Sequence, residues 1–170
     1  RKWQKLLDSL CKEWPKLVVR SVQKYINTIV KKALDEDLKP HGDITTNLIS
    51  FKNKKATAKI IAKQNGIIAG LDFCRSAFKL VGKEAIFINK VKDGSKVKKN
   101  KVIAEIEAKT KTILIAERTA LNFLNHASGI ATLTYQFKQK VNKKTKICCT
   151  RKTTPNLRLL EKYAVKKGGG

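Results

Sequence analysis

The chain has 170 residues, 42% of them hydrophobic and 30% charged, which is enough apolar side chain for a core and excludes wholesale disorder. No apolar run approaches the ~18 residues that span a bilayer, so no membrane partner is expected. The net charge of +25 invites a nucleic-acid reading, but the basic residues are spread along the chain, only six of the 38 are Arg, and aromatics are 6%. A Lys-coated surface is expected, with no specific nucleic-acid site.

Residues 1–20 read as an amphipathic, helical lead-in built on Trp3, Leu6, Leu7, Leu10 and Trp14, interrupted by Pro15. Ser21 is a candidate N-cap for a helix whose apolar stripe is Val22, Tyr25, Ile26, Ile29, Val30, Ala33 and Leu34. That helix runs into the acidic patch Asp35-Glu36-Asp37. A loop or short turn at Gly42–Thr46 follows, where Asp43, Thr45 and Thr46 have turn-capping chemistry. Ala56–Lys63 and Gly66–Gly70 read as strands flanking Gln64-Asn65, Leu71–Val81 as a helix, and Ile86–Ile88 and Val102–Ala108 as strands. Asp93-Gly94 is a turn signal, and Lys98–Lys101 a polar loop. Strands with an intervening helix predict a compact α+β module over 1–115.

From Ile113 the period becomes helical, with Gly129 expected to interrupt it. A polar stretch leads to Lys146–Cys149, read as a buried strand, then to Thr150-Arg151-Lys152-Thr153-Thr154-Pro155 and a helix over Asn156–Val165. Helix, strand and helix over 116–170 read as the start of a C-terminal α/β barrel or doubly wound sheet that one strand cannot close. Such folds bind ligands beyond the carboxyl ends of their strands. The hydroxyls and two cations there suit a carboxylate or phosphate. Arg offers a planar fork and Lys a point charge, although a surface basic pair has the same sequence. Cys11, Cys74, Cys148 and Cys149 lack metal-ligand spacing and read as free, mostly buried thiols in a reducing cytoplasm. With no Met and a Gly168-Gly169-Gly170 end, the chain reads as a fragment of a longer protein.

Three segments, Glu36–Thr46 (EDLKPHGDITT), Glu117–Thr132 (ERTALNFLNHASGIAT) and Thr150–Gly170 (TRKTTPNLRLLEKYAVKKGGG), occur in an order and spacing that resemble quinolinate phosphoribosyltransferase, also called nicotinate-nucleotide pyrophosphorylase (carboxylating). The resemblance covers nearly all of the chain beyond residue 20. It implies an open-faced α/β sandwich followed by an incomplete, here truncated, α/β barrel. It further implies conversion of quinolinate and phosphoribosyl pyrophosphate to nicotinate mononucleotide, pyrophosphate and CO2, with Mg2+ held by substrate and by residues beyond this chain. Arg118 matches an arginine that reaches quinolinate across the interface of a homodimer or higher oligomer. Arg151 matches the arginine that binds a quinolinate carboxylate, Lys152 a lysine of the same pocket, and Thr150 lines it. His126 is expected on a helix surface or interface, because the family's substrate-binding histidine lies beyond Gly170. Asn156 stands where the family usually has Gly, and Asn tolerates left-handed backbone. After Gly-Gly-Gly the family continues with an Asn-His-Arg segment and most of the phosphoribosyl pyrophosphate site. A paralogue of the same fold, such as the pyrophosphorylase-like proteins associated with molybdenum transport, or an inactive basic remnant that binds polyanions, fits the same residues.

Overall fold

The computed structural model describes residues 21–48, 53–142 and 144–170. The lead-in at 1–20, with Cys11, lies outside the described residues. Helix α1 is already helical at Ser21, which is therefore no N-cap within the described chain, and it runs through residue 38. It buries Ile26, Val30 and Leu34, one residue per turn on a single stripe. A one-turn helix, α2 (Ile44–Leu48), occupies the segment read as a loop or short turn. Asp43 caps it: its carboxylate accepts the Thr46 N–H at 3.0 Å and the Thr46 hydroxyl proton. The Thr46 hydroxyl and N–H hold the Asp43 carboxyl below the usual carboxylate range.

Strands β1 (Lys55–Ile61), β3 (Ile86–Asn89) and β5 (Val102–Lys109) form an antiparallel sheet in the order β1-β5-β3. The alternation of β5 explains its central place. Ala104, Ile106 and Ala108 point into the core, while Glu105 and Glu107 stand on the other face. There Lys90 reaches Glu105 at 2.7 Å, Lys59 reaches it at 3.8 Å, and Lys55 reaches Glu107 at 3.3 Å. A strand carrying this sequence is neutralised only between two lysine-bearing neighbours, which is where it lies. The second β-like run, β2 (Gly66–Ile67), does not pair with β1. It pairs with a two-residue strand, β4 (Lys96–Val97), across the Asp93-Gly94 turn. Helix α3 (Leu71–Val81) follows β2 with the boundaries its sequence predicts.

Helix α4 (Thr110–Lys140) is the spine of the molecule. It begins three residues before the expected Ile113, and Gly129 does not interrupt it. A side chain at Gly129 would meet nothing within 4 Å, so this glycine costs the helix its ordinary ~1 kcal/mol without serving a close approach. Ala116, Ala120, Ala127 and Ala131 are fully buried and let neighbouring elements come near the α4 backbone. Phe123 packs on Phe73 of α3 with ring centroids 5.3 Å apart.

Ser128 and Thr132 of α4 take the place of a missing strand neighbour. The Ser128 hydroxyl accepts from the Ala69 N–H at 3.1 Å and donates to its carbonyl at 3.2 Å. Thr132 does the same for Ile67, at 2.9 and 3.4 Å. One helical turn of four residues rises ~6 Å, close to the ~6.6 Å between alternate strand residues, so two hydroxyls spaced i, i+4 match the chain beside β2.

Helix α5 (Arg158–Lys167) buries Leu160 and Ala164 in the same core as α1, α3 and α4, so this end of the chain is well packed rather than loose. At its end Gly168 lies so close to α4 that a side chain would run into the Ala131 carbonyl and, at 2.7 Å, Thr134. Residue 115, where the sequence reading divides the chain, lies inside α4. Lys146–Cys149 is not a strand: the segment has no regular structure, and Cys148 and Cys149 are exposed rather than buried. The physical reason is the absence, among the described residues, of a strand paired with it, since an extended segment keeps its form by hydrogen bonds to neighbours. Among the described residues the two sheets are small, antiparallel and open, a mixed α/β architecture with no closed sheet. No described helix is long and apolar enough to cross a membrane.

Candidate anion-binding site

The turn between residue 150 and α5 is built by local chemistry. The Thr150 hydroxyl accepts the Lys152 N–H at 3.1 Å, and the Arg151 carbonyl accepts the Thr153 N–H at 3.0 Å. These two bonds curl the chain so that Thr150, Arg151 and Lys152 are all exposed. Next, the Thr154 carbonyl accepts the Leu157 N–H at 3.0 Å, closing a turn with Pro155 and Asn156 at its centre. Asn156 has φ 66°, the left-handed backbone expected where the family has Gly. Pro presets the first central position and Asn tolerates the second.

Three side chains from outside the turn hold it. Tyr25 of α1 donates its hydroxyl to the Asn156 carbonyl at 2.7 Å. Arg158 donates its Nε to the Thr153 hydroxyl at 3.2 Å. Glu161, in the first turn of α5, accepts the Thr154 N–H with both carboxylate oxygens at 3.3 Å and meets His126 Nε2 at 3.1 Å. Burial raises the Glu161 pKa, but the bonds from Thr154 and His126 more than offset this and leave it below the ordinary carboxylate value. His126 is thus a helix-surface residue of α4 whose partner is α5.

Arg151 and Lys152 form no ion pair among the described residues. Arg118 lies on α4, 71% exposed, and pairs with Asp37 of α1 at 3.0 Å rather than with its neighbour Glu117. No hydrogen bond or ion pair joins Arg118 to Thr150, Arg151 or Lys152 among the described residues. A cleft of about 550 Å³ lies between α1 and α4, lined by Glu36, Asp37, Asn122, His126 and Leu157. Its two carboxylates make it a poor receptor for a dianion. Sequence reasoning missed Tyr25 and Glu161. The signal for Glu161 was an acid in the first turn of a helix, where its charge opposes the macrodipole and its oxygens reach free N–H groups.

A second set of contacts ties this region to the rest of the fold. Asp93 accepts the Gly70 N–H at 3.1 Å and the Leu71 N–H at 3.2 Å, capping α3, and accepts the Tyr163 hydroxyl of α5 at 2.7 Å. Burial, and then the bond to Asp93, push the Tyr163 pKa up.

These features place the chain in the class of mixed α/β proteins with an exposed cationic turn ahead of a helix. Residues 43–128 match the family model for the quinolinate phosphoribosyl transferase N-terminal domain, and residues 130–170 match that for its C-terminal domain. The chain belongs to the quinolinate phosphoribosyl transferase family. It is 45% identical over 150 residues to a probable carboxylating nicotinate-nucleotide pyrophosphorylase of Methanocaldococcus jannaschii, covering 86% of this chain and 51% of the relative. It is 42% identical over 130 residues to the corresponding Bacillus subtilis protein, covering 76% and 45%. Among solved structures, the nicotinate-nucleotide pyrophosphorylase from Francisella tularensis superposes with a TM-score of 0.82 at 36% identity, covering 87% of this chain and 52% of that one. NadC from Streptococcus pyogenes gives 0.81 at 40% identity, covering 85% and 52%. The chain thus spans about half the length of the curated relatives it matches.

Proposed function

We propose that the polypeptide containing these residues transfers the phosphoribosyl group of phosphoribosyl pyrophosphate to quinolinate, with decarboxylation, in de novo NAD synthesis. The observation that carries this is the turn at Thr150–Lys152, which presents Arg151 and Lys152 outward, exposed and unpaired among the described residues, on a backbone held at Thr153–Asn156. The names of the matching family model and of a Nicotiana tabacum relative, a quinolinate phosphoribosyltransferase, supply the substrate class. Quinolinate carries two adjacent carboxylates beside a ring nitrogen. The Arg151 guanidinium takes one carboxylate as a fork, Lys152 adds a point charge, and the Thr150 hydroxyl lines the pocket. The pyridine nitrogen bonds to the anomeric carbon as pyrophosphate departs with its electron pair. The ring nitrogen, now cationic, stabilises the carbanion left when the 2-carboxylate leaves as CO2, and a proton replaces it. The protein's part is positioning and electrostatics.

In this reading α4, the turn and α5 open an incomplete barrel whose further strands belong to the half of the relatives' length not spanned here. The family's Mg2+ does not fit the residues present. Among the described residues no three His, Cys, Asp or Glu side chains group as ligands, and Asp35 is paired with Lys39 at 3.1 Å. In this reading the ligands of the metal are substrate oxygens and residues outside this chain. A cytoplasmic setting belongs to the same reading, with Cys74, Cys148 and Cys149 as free thiols.

Arg118 completes the pocket of a second subunit in a homodimer or larger assembly. Its exposed pair with Asp37 is no obstacle, since exposed pairs are worth only ~0–1 kcal/mol and release at little cost. Mixing an Arg118→Ala polypeptide with an Arg151→Ala polypeptide is expected to restore about a quarter of the wild-type activity, because half the dimers are mixed and each of those keeps one intact site of two. No restoration would place Arg118 outside the shared site.

A further inference from the structure

Glu161 has more to do than begin a helix. Its side chain is only 14% exposed, yet both of its oxygens are committed: each accepts the Thr154 N–H, and one meets His126. Thr154 lies two residues past Lys152, and its own carbonyl closes the Pro155-Asn156 turn. The Glu161 carboxylate is therefore the point at which α4, through His126, and α5 together fix the backbone that carries the cationic residues. On the other side, among the described residues, the side-chain anchors stop at Thr145, held by Asn142 at 3.0 Å and Lys138 at 2.8 Å; residues 146–149 have no regular structure, and Cys148 and Cys149 are exposed. A turn tethered on one side takes its orientation from that tether.

We infer that Glu161, buttressed by His126, is a positioning residue for the anion-binding turn, which sets the direction in which Arg151 and Lys152 meet a dianionic pyridine dicarboxylate. This rests on the reading of Thr150–Lys152 as the quinolinate-binding segment. Positioning of this kind has a large lever. A carboxylate–guanidinium fork needs both N–H groups aligned, so a small rotation of the turn costs one of the two bonds. Glu161 touches no substrate and acts only through the N–H of Thr154. Its effect must therefore depend on Arg151 being present, and any acceptor of similar reach replaces it.

The test is quinolinate binding by titration calorimetry to the polypeptide as the cell makes it, compared with its Glu161→Ala, Glu161→Gln, Arg151→Ala and Glu161→Ala/Arg151→Ala variants. Glu161→Ala is expected to weaken quinolinate at least tenfold. Glu161→Gln, whose amide oxygen still accepts the Thr154 N–H, is expected to stay within about threefold of wild type. In the Arg151→Ala background, Glu161→Ala is expected to cost less than twofold more, since coupling through a shared contact is non-additive. Glu161→Ala binding within twofold of wild type, a Glu161→Gln defect as large as that of Glu161→Ala, or additive losses in the double variant would each overturn the inference. If Glu161→Ala loses its helical circular dichroism, His126→Ala carries the test: a loss of threefold or more supports the buttress, and unchanged affinity overturns it. Wild-type protein that binds no quinolinate contradicts the proposed function itself, which separates that failure from a failure of the Glu161 inference.

Discussion

Arg151→Ala is expected to lower kcat/KM for quinolinate by at least about a hundredfold while leaving the melting temperature unchanged. The stability half of this expectation follows from the structure: Arg151 is exposed, and its side chain makes no hydrogen bond or ion pair among the described residues, so folding loses nothing when it is cut back. The binding half follows from the ligand. Two charge-assisted hydrogen bonds to a carboxylate, each worth about 1.5–3 kcal/mol, disappear together, and about 1.4 kcal/mol is tenfold. Arg151→Lys keeps the charge but loses the planar fork, and is expected to fall between the two, roughly tenfold below wild type. Steady-state kinetics with quinolinate varied at saturating phosphoribosyl pyrophosphate measure all three. An Arg151→Ala protein with unchanged kcat/KM would remove Arg151 from the site.

Asp93→Ala is expected to destabilise the fold by about 3 kcal/mol, lowering the melting temperature by roughly 6–12 °C for a chain of this size. Two losses add up to this. The N–H groups of Gly70 and Leu71, both buried, lose their acceptor at the start of α3, a cap worth about 0.5–2 kcal/mol. The Tyr163 hydroxyl, half-buried on α5, loses the partner it holds at 2.7 Å, at about 1–3 kcal/mol. Gly70 has φ 97°, a conformation that the Asp93 bond helps to hold, and it leaves no space for the chain to relax toward α4: a side chain there would lie 3.1 Å from Ala127 and 3.3 Å from the Phe123 carbonyl. Tyr163→Phe removes only the second contact and is expected to cost about 1 kcal/mol. Thermal denaturation followed by circular dichroism distinguishes them. Equal melting temperatures for Asp93→Ala and wild type would mean that α5 is held by its apolar face alone. Asp93 matters beyond its own turn, because it bonds the region matching the N-terminal family model to a residue of the region matching the C-terminal one.

The parts of the fold legible in the sequence were those with a period. The alternation of Glu105 and Glu107 with Ala104, Ile106 and Ala108 gave β5 within one residue, and the stripe of Ile26, Val30 and Leu34 gave α1. Leu71–Val81 was bounded on both sides by glycine and emerged with those limits. What lacked a period was lost. β4 is two residues long and owes its form to pairing with β2, which no local pattern announces. Gly129 read as a break because glycine weakens helices, yet α4 is held across it by Ser128 and Thr132 bonding to residues some 60 positions earlier. Lys146–Cys149 had the composition of a strand but no neighbour among the described residues to pair with.

The candidate site divides the same way. Thr150, Arg151 and Lys152 stood out as residue types, and Asn156 as a left-handed turn residue, both from sequence. The tethers did not, since Tyr25 reaches Asn156 across 131 positions and His126 reaches Glu161 across 35. The Arg118–Asp37 pair was hidden for the same reason: its partners lie 81 positions apart, on α4 and α1.

In the proposed reading, the polypeptide containing these residues turns quinolinate into nicotinate mononucleotide with loss of one carboxylate. The most direct test is the release of labelled CO2 from quinolinate labelled in the 2-carboxyl group, measured with and without phosphoribosyl pyrophosphate, on the polypeptide as the cell makes it. One CO2 per nicotinate mononucleotide formed is expected, none when phosphoribosyl pyrophosphate is left out, and a rate cut by Arg151→Ala. Quinolinate that stays intact under these conditions would contradict this reading.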